Sequence, residues 1–354
     1  MSLMVSPDRA DEGAGAARDT GEAPERELGP NAPLRFLLSN EFGLIILIIL
    51  FAVIFSTLSP AFLSKFSLYA LGRNAAVNIM IGFSMMVVII TGGLNLSVGS
   101  IGVTSAMFGG WLMQALGVPW VLGLLGGLAM GAALGAINGV IIVRSGLHSF
   151  IITLATMSIF FGVMIFLTQA ESYREISPTL AGFGRLKILS VLSPLLVTSV
   201  VVGIALSVLF RFTALGREML ASGANPHAAE LSGIRVERMI SYCHMLSGML
   251  AALAGLMLVS RTGAAIPSMA GQLGQDWLLP AFLGPVLGGT LLTGGRVSVL
   301  GTLLGAFLVT MLTSGLLLMQ VGAFWVQTYL GLLLLAAVLL DLARRSYLAQ
   351  RKLV

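Results

Sequence analysis

The chain carries few of the groups that covalent chemistry needs. Its three histidines, His148, His227 and His244, stand at no spacing of the His-Glu-x-x-His kind and suggest no metal set. None of its three lysines, Lys65, Lys187 and Lys352, completes the Gly-x-x-x-x-Gly-Lys-[Ser/Thr] cradle for nucleotide phosphates. The single Cys243 lies in an apolar run, so no disulfide forms within the chain and the cysteine says nothing about compartment. No catalytic residue, metal or cofactor is implied. The acids avoid apolar sequence. Glu218, Glu230 and Glu237 lie in one polar segment, Glu171 and Glu175 in another, Asp341 at the end of an apolar run and Asp276 near a boundary. A carrier coupled to protons or sodium usually keeps an ionisable ligand at membrane depth. Its near-absence argues against such a carrier and suits an uncharged path for a neutral polar solute.

Two groups of residues remain. Asn95, Ser97, Phe150, Thr153 and Thr156 are polar or aromatic groups in apolar surroundings. Neutral donors and acceptors beside an aromatic wall would serve a polyol in transit. The same side chains would equally serve to satisfy backbone groups or pack helices, and Asn74, Asn78 and Asn138 carry the same ambiguity. The second group is the polar segment from Ala214 to Arg238, flanked by apolar runs. Asn225-Pro226 breaks it into two short helices. Gly216-Arg217 opens the first, and Ala221, Gly223, Ala228 and Ala229 leave a low profile that a partner groove could approach. On residues alone it is either a docking element or an ordinary amphipathic loop, with His227 solvated or at an interface.

The elements that must position these groups cross a bilayer. Of 354 residues, 57% are hydrophobic and 10% charged, against about 25% charged in average usage. A span needs about 20 apolar residues. Such runs fall near 42–59, 73–91, 97–116, 119–143, 149–169, 191–211, 239–259, 278–294, 297–320 and 322–341. The expectation is an all-α membrane protein of about ten transmembrane helices, the Gly-rich third and eighth broken, with the membrane domain over 36–345. Residues 1–35 read as a disordered cytoplasmic tail and 346–354 as a C-terminal tail. Within 1–33, seven acids and three arginines accompany Gly, Ala and Pro with no periodic apolar face. That stretch does not read as a signal peptide, because the first apolar run begins only near Phe42.

Ten spans place both termini on one side. That side then holds fourteen of the 20 Lys and Arg residues, so basic bias makes it cytoplasmic. The segment 212–238 falls there too. The longest outer loop, about 170–190, is polar and could meet a soluble partner. The remaining basic excess fits anionic lipid, and no basic stripe interleaved with aromatics suggests nucleic acid. Gly127, Gly131, Gly135 and Gly139 recur every four residues, so they share one helix face and allow close backbone approach, within a subunit or between two. Gly284 with Gly288 and Gly301 with Gly305 repeat the spacing. GGLNLSVG at 92–99 and GGRVSVLG at 294–301 echo one another weakly. Each couples a glycine pair to a small-polar turn that opens an apolar helix, as interrupted helices do in repeat-built transporters.

Four blocks together resemble the ribose-type permeases, membrane subunits of bacterial ABC sugar importers. They are TGGLNLSVGS at 91–100, HSFIITLATM at 148–157, TALGREMLASGANPHAAELSGI at 213–234, and LGGTLLTGGR at 287–296 running on to Gly305. The resemblance covers roughly residues 40–345. It implies a multi-pass inner-membrane permease for a monosaccharide or similar small polar solute, dimeric with a second permease copy. It also implies a separate ATPase subunit, coupled through Gly216, Arg217, Ala221, Gly223, Asn225, Ala228, Ala229 and Gly233, and a periplasmic sugar-binding protein that delivers the solute. The family commonly has Asp where this chain has Asn95, which removes a charge and keeps hydrogen bonding. It often has Gly where this chain has Val297. Branched-chain amino-acid permeases share a similar loop, but the 92–100 block favours the sugar type. An ion-coupled secondary carrier and a membrane enzyme are the remaining alternatives.

Overall fold

The computed structural model describes residues 40–322, 325–336 and 339. The tails expected at 1–35 and 346–354 lie outside them. The described chain is helical, without a named strand, and all of it belongs to one compact unit, 39–354. In order the helices are α1 (Asn40–Leu58), α2 (Lys65–Ile89), α3 (Val98–Ala115), α4 (Trp120–Ser145), α5 (Ser149–Thr168), α6 (Pro178–Arg185) and α7 (Pro194–Phe212). There follow α8 (Ala214–Ala224), α9 (Pro226–Leu231), α10 (Val236–Thr262), a 3-10 turn (Gln272–Trp277), α11 (Leu278–Leu287), α12 (Val299–Leu318) and α13 (Trp325–Ala336).

Seven of these, α1, α2, α4, α5, α7, α10 and α12, are long and apolar enough to cross a membrane. They match seven of the ten apolar runs. The run at 97–116 is helical as α3, but glycines and small polar residues lower its hydropathy. The run at 278–294 is interrupted: α11 has ten residues, carries Pro285 and stops at Gly288, because proline removes a helix donor and glycine favours a stop. The run at 322–341 is described only as the short α13. The second span begins at Lys65 rather than near Arg73, since Ser64 caps it, its side chain accepting from Ser67 N at 3.2 Å.

Burial separates an inner pair from an outer ring. In α2 83% of the most apolar window is buried and in α10 72%, against 11% in α1 and 22% in α4. Phe83, Ile79, Met80 and Met85 of α2 are fully enclosed. The outer helices instead expose Leu, Ile and Val, such as Ile49, Leu125, Ile159 and Ile204, the surface that lipid requires. Helix α4 packs along α10 through its glycines. A Cβ on Gly131 would lie 2.5 Å from the Ala252 Cβ, one on Gly139 2.7 Å from the Ser241 Cα, and one on Gly127 3.0 Å from the Ser105 carbonyl oxygen. One on Gly135 would overlap the His244 carbonyl. All four glycines therefore face neighbouring helices of the same chain.

The polar loop near 170–190 is more structured than its composition suggests. Ser177-Pro178 starts α6, which packs on α10. Ahead of it, the Gln114 Oε1 accepts from the backbone of Arg174 and Glu175 at 2.7 and 3.1 Å, and Tyr173 pairs with Ala265 through both backbone bonds. Burial, reinforced by the nearby Glu171 carboxylate, raises the Tyr173 hydroxyl above the usual tyrosine range.

Candidate functional site

Between α2 and α3 the chain leaves helical geometry inside the bundle, and side chains make good the lost backbone bonds. It turns at Gly92, whose φ of +73° favours glycine. The Leu94 amide donates to Ser149 Oγ at 2.8 Å and the Leu96 amide to Thr153 Oγ1 at 3.1 Å. Asn95 folds back on its own turn. Its Oδ1 accepts from Ser97 N at 3.1 Å and from Ser97 Oγ at 2.7 Å. Its Nδ2 donates to Ser247 Oγ on α10 at 3.0 Å. Asn138 of α4 donates to Ser97 Oγ at 2.8 Å, and Ser84 of α2 donates to the Ser247 carbonyl at 2.8 Å. These five polar side chains are fully enclosed and join the break to α2, α4 and α10. In hydrocarbon an orphaned backbone group costs several kcal/mol, which is why Asn, Ser and Thr stand here.

The structure thus brings Asn95, Ser97 and Thr153 together, with Thr156 one turn further along α5 donating to the Thr153 carbonyl at 3.3 Å. Phe150 is separate, 44% exposed on the outer side of α5. Asn138 belongs to the same network, while Asn78 donates elsewhere, to Thr310 at 2.9 Å. Ser84 and Ser247 escaped sequence reasoning because a lone serine in an apolar run has no distinguishing pattern.

The second glycine turn, between α11 and α12, lies against the first. The Gly295 amide donates to the Ile90 carbonyl at 2.8 Å. A Cβ on Gly294 would lie 2.8 Å from Gly92 N and from Ile90 O, and one on Gly92 would lie 3.3 Å from the Thr293 carbonyl oxygen. The weak sequence echo corresponds to two turns in backbone contact. Ser298 caps α12, its Oγ accepting from Gly301 N at 2.9 Å and donating to Glu41 at 2.8 Å.

The end of α8 is seated on this junction. A Cβ on Gly223 would overlap the Ile90 carbonyl oxygen and lie 2.8 Å from Gly295 N, and Ala224 Cα is 2.5 Å from the Cβ position of Gly295. Further back, Gly216 leaves no room between α8 and the last turn of α7 at Leu209 and Phe210. Met219, 1% exposed, pins α8 into the main core. The helix starts at Thr213, which accepts from Gly216 N at 3.1 Å. It yields to α9 at Asn225, which accepts from Ala228 N at 3.1 Å ahead of Pro226.

The small residues expected to form a low outward profile therefore divide. Gly216 and Ala229 are buried, and Gly223 is pressed on the chain's own backbone. Their smallness serves the seat of α8. Ala221 is half-buried. Arg217, Asn225, Ala228 and Gly233 are exposed, as is His227. The outward surface also includes Leu231, 79% exposed, and a cavity of about 500 Å³ lined by Glu230, Gly233, Ile234 and Arg235 through Arg238. Leu231 went unnoticed in the sequence because an apolar residue in an amphipathic helix normally faces inward. His148 caps α5, its Nδ1 accepting from Phe150 N at 3.2 Å.

The molecule is thus a bundle of span-length helices broken by two turns, with an amphipathic helix pair seated on them. Residues 67–341 match the family described as branched-chain amino acid transport system / permease component, and the chain belongs to that family. It is a multi-pass protein of the cytoplasmic membrane. Among similar proteins, ribose import permease protein RbsC of Bacillus subtilis is 39% identical over 302 residues, covering 84% of this chain and 90% of that one. D-allose transport system permease protein AlsC of Escherichia coli is 32% identical, covering 89% and 96%. L-arabinose ABC transporter permease protein AraH of Azospirillum brasilense is 31% identical, covering 98% of both. No solved structure matches the chain.

Proposed function

We propose that the chain is the membrane subunit of an ATP-driven importer for a monosaccharide or related small polar solute. In this reading α8 and α9 are the docking element for a separate ATPase. The observation that carries it is the seat of α8. Any displacement of this exposed helix pair bears directly, through Gly223, on the junction of the two interrupted turns. The names of the relatives support the sugar class.

The finer organisation follows. Helices α3, α11 and α13 complete ten passes, with both termini cytoplasmic beside α8 and α9. Arg217, Asn225, Ala228 and Gly233 touch the ATPase, while Gly216, Ala221, Gly223 and Ala229 hold the helices in place. A second permease copy completes the channel, and a periplasmic sugar-binding protein delivers solute at the opposite end. Closure of the ATPases shifts α8 and biases the bundle between inward- and outward-open states. Asn95, Ser97, Thr153 and Thr156 belong to the wall of the translocation path, where they hold the first turn in shape, with Phe150 on the exposed side of the same helix as the two threonines.

Uptake by vesicles holding the chain with its ATPase and binding protein tests this. Arg217→Glu reverses an exposed charge and is expected to abolish ATP-driven uptake with membrane insertion intact; normal uptake would overturn the docking role. Ala228→Cys is expected to cross-link to the ATPase. The only native thiol, Cys243, is fully enclosed and does not compete. The family description favours one second reading, a branched-chain amino acid as solute; uptake of leucine in place of a sugar would establish it.

A further inference from the structure

At the end of the bundle away from α8, four cations gather without an acid. Tyr69, 4% exposed, lies at the centre. The Arg73 guanidinium and the Lys187 ammonium each stand 5.3 Å from its ring centroid, a cation–π distance. Arg261, at the end of α10, is half-buried and within electrostatic reach of both Arg73 and Tyr69. Arg185 completes the group, spending one donor on the Thr262 carbonyl at 3.0 Å. Arg73 Nε is enclosed with no hydrogen-bond partner. No carboxylate pairs with any of the four among the described residues. Like charges at this spacing repel, and partly buried ones are poorly screened, so the arrangement calls for an anion.

Helix α6 joins this cluster to apolar surface. Its Thr179, Leu180 and Phe183 line a cleft of about 370 Å³, closed by Trp120, Leu124, Leu195, Leu253 and Met257 and apolar almost throughout. Ser260, the residue before Arg261 in α10, also lines this cleft, so the cleft reaches the cluster. Immediately after α6 the chain makes a small hairpin in which the Ile188 amide donates to the Leu192 carbonyl at 2.8 Å. Its tip, Leu189, is 89% exposed, with φ of +51°. A protruding leucine beside Lys187 is suited to the boundary between headgroups and acyl chains.

We propose that this end of the molecule binds an anionic phospholipid. The headgroup phosphate meets Arg185 and Lys187 in front of Arg73 and Arg261, and one acyl chain lies in the cleft beside α6. The cations select the phosphate's charge, since each basic residue near an anionic headgroup contributes comparably. The cleft distinguishes a lipid from a free anion.

The test is retention of added lipid by the purified full chain in detergent, read by native mass spectrometry. Phosphatidylglycerol is expected to be held roughly tenfold better than phosphatidylcholine. The double variant Arg185→Gln/Lys187→Gln changes two exposed residues, and size-exclusion chromatography confirms its fold. It is expected to bring that ratio close to one. Leu253→Trp fills the cleft and is expected to lower retention of both lipids. Equal retention of the two lipids by the native chain would overturn the proposal, as would a ratio unmoved in the double variant. Competition by glycerol phosphate as strong as by phosphatidylglycerol would reassign the cluster to a free phosphate and overturn the lipid. A double variant that loses only its complex with a soluble sugar-binding protein, and keeps its lipid preference, would make the surface a protein dock and overturn it too.

Discussion

The two glycine turns that abut beneath α8 solve one problem by opposite means. Both interrupt helices inside the apolar bundle, and both must satisfy or shield bare backbone. The turn at 90–97 uses side chains. Ser149 and Thr153 serve its amides, and Asn95 bonds to Ser97 and Ser247. The turn at 288–298 relies instead on the absence of side chains. Gly289, Gly294 and Gly295 take φ of +80°, +89° and +77°, and a Cβ on Gly288 would overlap the backbone at Gly301. The first turn is therefore vulnerable to loss of polarity, and the second to gain of volume. A hydrogen-bonded turn tolerates modest changes of shape if its donors and acceptors persist. A turn in backbone contact tolerates almost none.

Substitutions at four positions probe this contrast, in decreasing order of effect. Gly223→Val drives a branched side chain into the Ile90 carbonyl, where both turns meet α8. It is expected to eliminate transport and to destabilise by about 1–3 kcal/mol, measured by uptake and by thermal unfolding in detergent. Asn95→Leu keeps the branched shape and removes the acceptor for Ser97 N and Ser97 Oγ, each unmet buried group costing about 1–3 kcal/mol. Asn95→Asp still accepts from Ser97, and the Ser247 hydroxyl can reorient to donate, but an enclosed carboxylate carries a desolvation cost. Its unfolding midpoint should therefore fall between those of the native chain and Asn95→Leu at neutral pH and approach native as pH falls. If Leu and Asp behaved alike, the first turn would not depend on its hydrogen bonds. Thr153→Val removes the acceptor for Leu96 N and should cost about 1–3 kcal/mol, with Thr153→Ser nearly silent. Val297→Gly, which loosens a side chain packed on the core, should cost about 1 kcal/mol or less and leave uptake intact.

Much of this was legible in the sequence where the signal was local. The four-residue glycine spacing announced the face α4 turns to α10. Asn225-Pro226 announced the break between α8 and α9, and the paired Gly-Gly motifs marked both turns. What escaped was set by tertiary context. Lys65, Ser67, Arg73 and Asn74 lowered the apparent hydropathy of the first turns of α2, yet Tyr69 and Leu71 among them are buried. α6 was hidden because eight residues carry too short a pattern. Gly223 and Ala229 read as part of a low outward profile because sequence records small size and not direction. Asn95 was ambiguous for the same reason, and its bonds to Ser97 and Ser247 place it within the scaffold of the first turn.

The close seam between α4 and α10 constrains how the molecule can move. From Gly131 to Gly139 the contact runs for eight residues, about 12 Å of helix rise, with almost no side-chain layer between the backbones. Sliding of packed helices ordinarily proceeds by rotamer changes at the contact, and glycine has no rotamers to change. These two rods must then travel as one plank. Any rearrangement between open and shut forms has to be accommodated along the other edges of α2 and α10, where methionines such as Met80, Met86 and Met257 provide pliable filling.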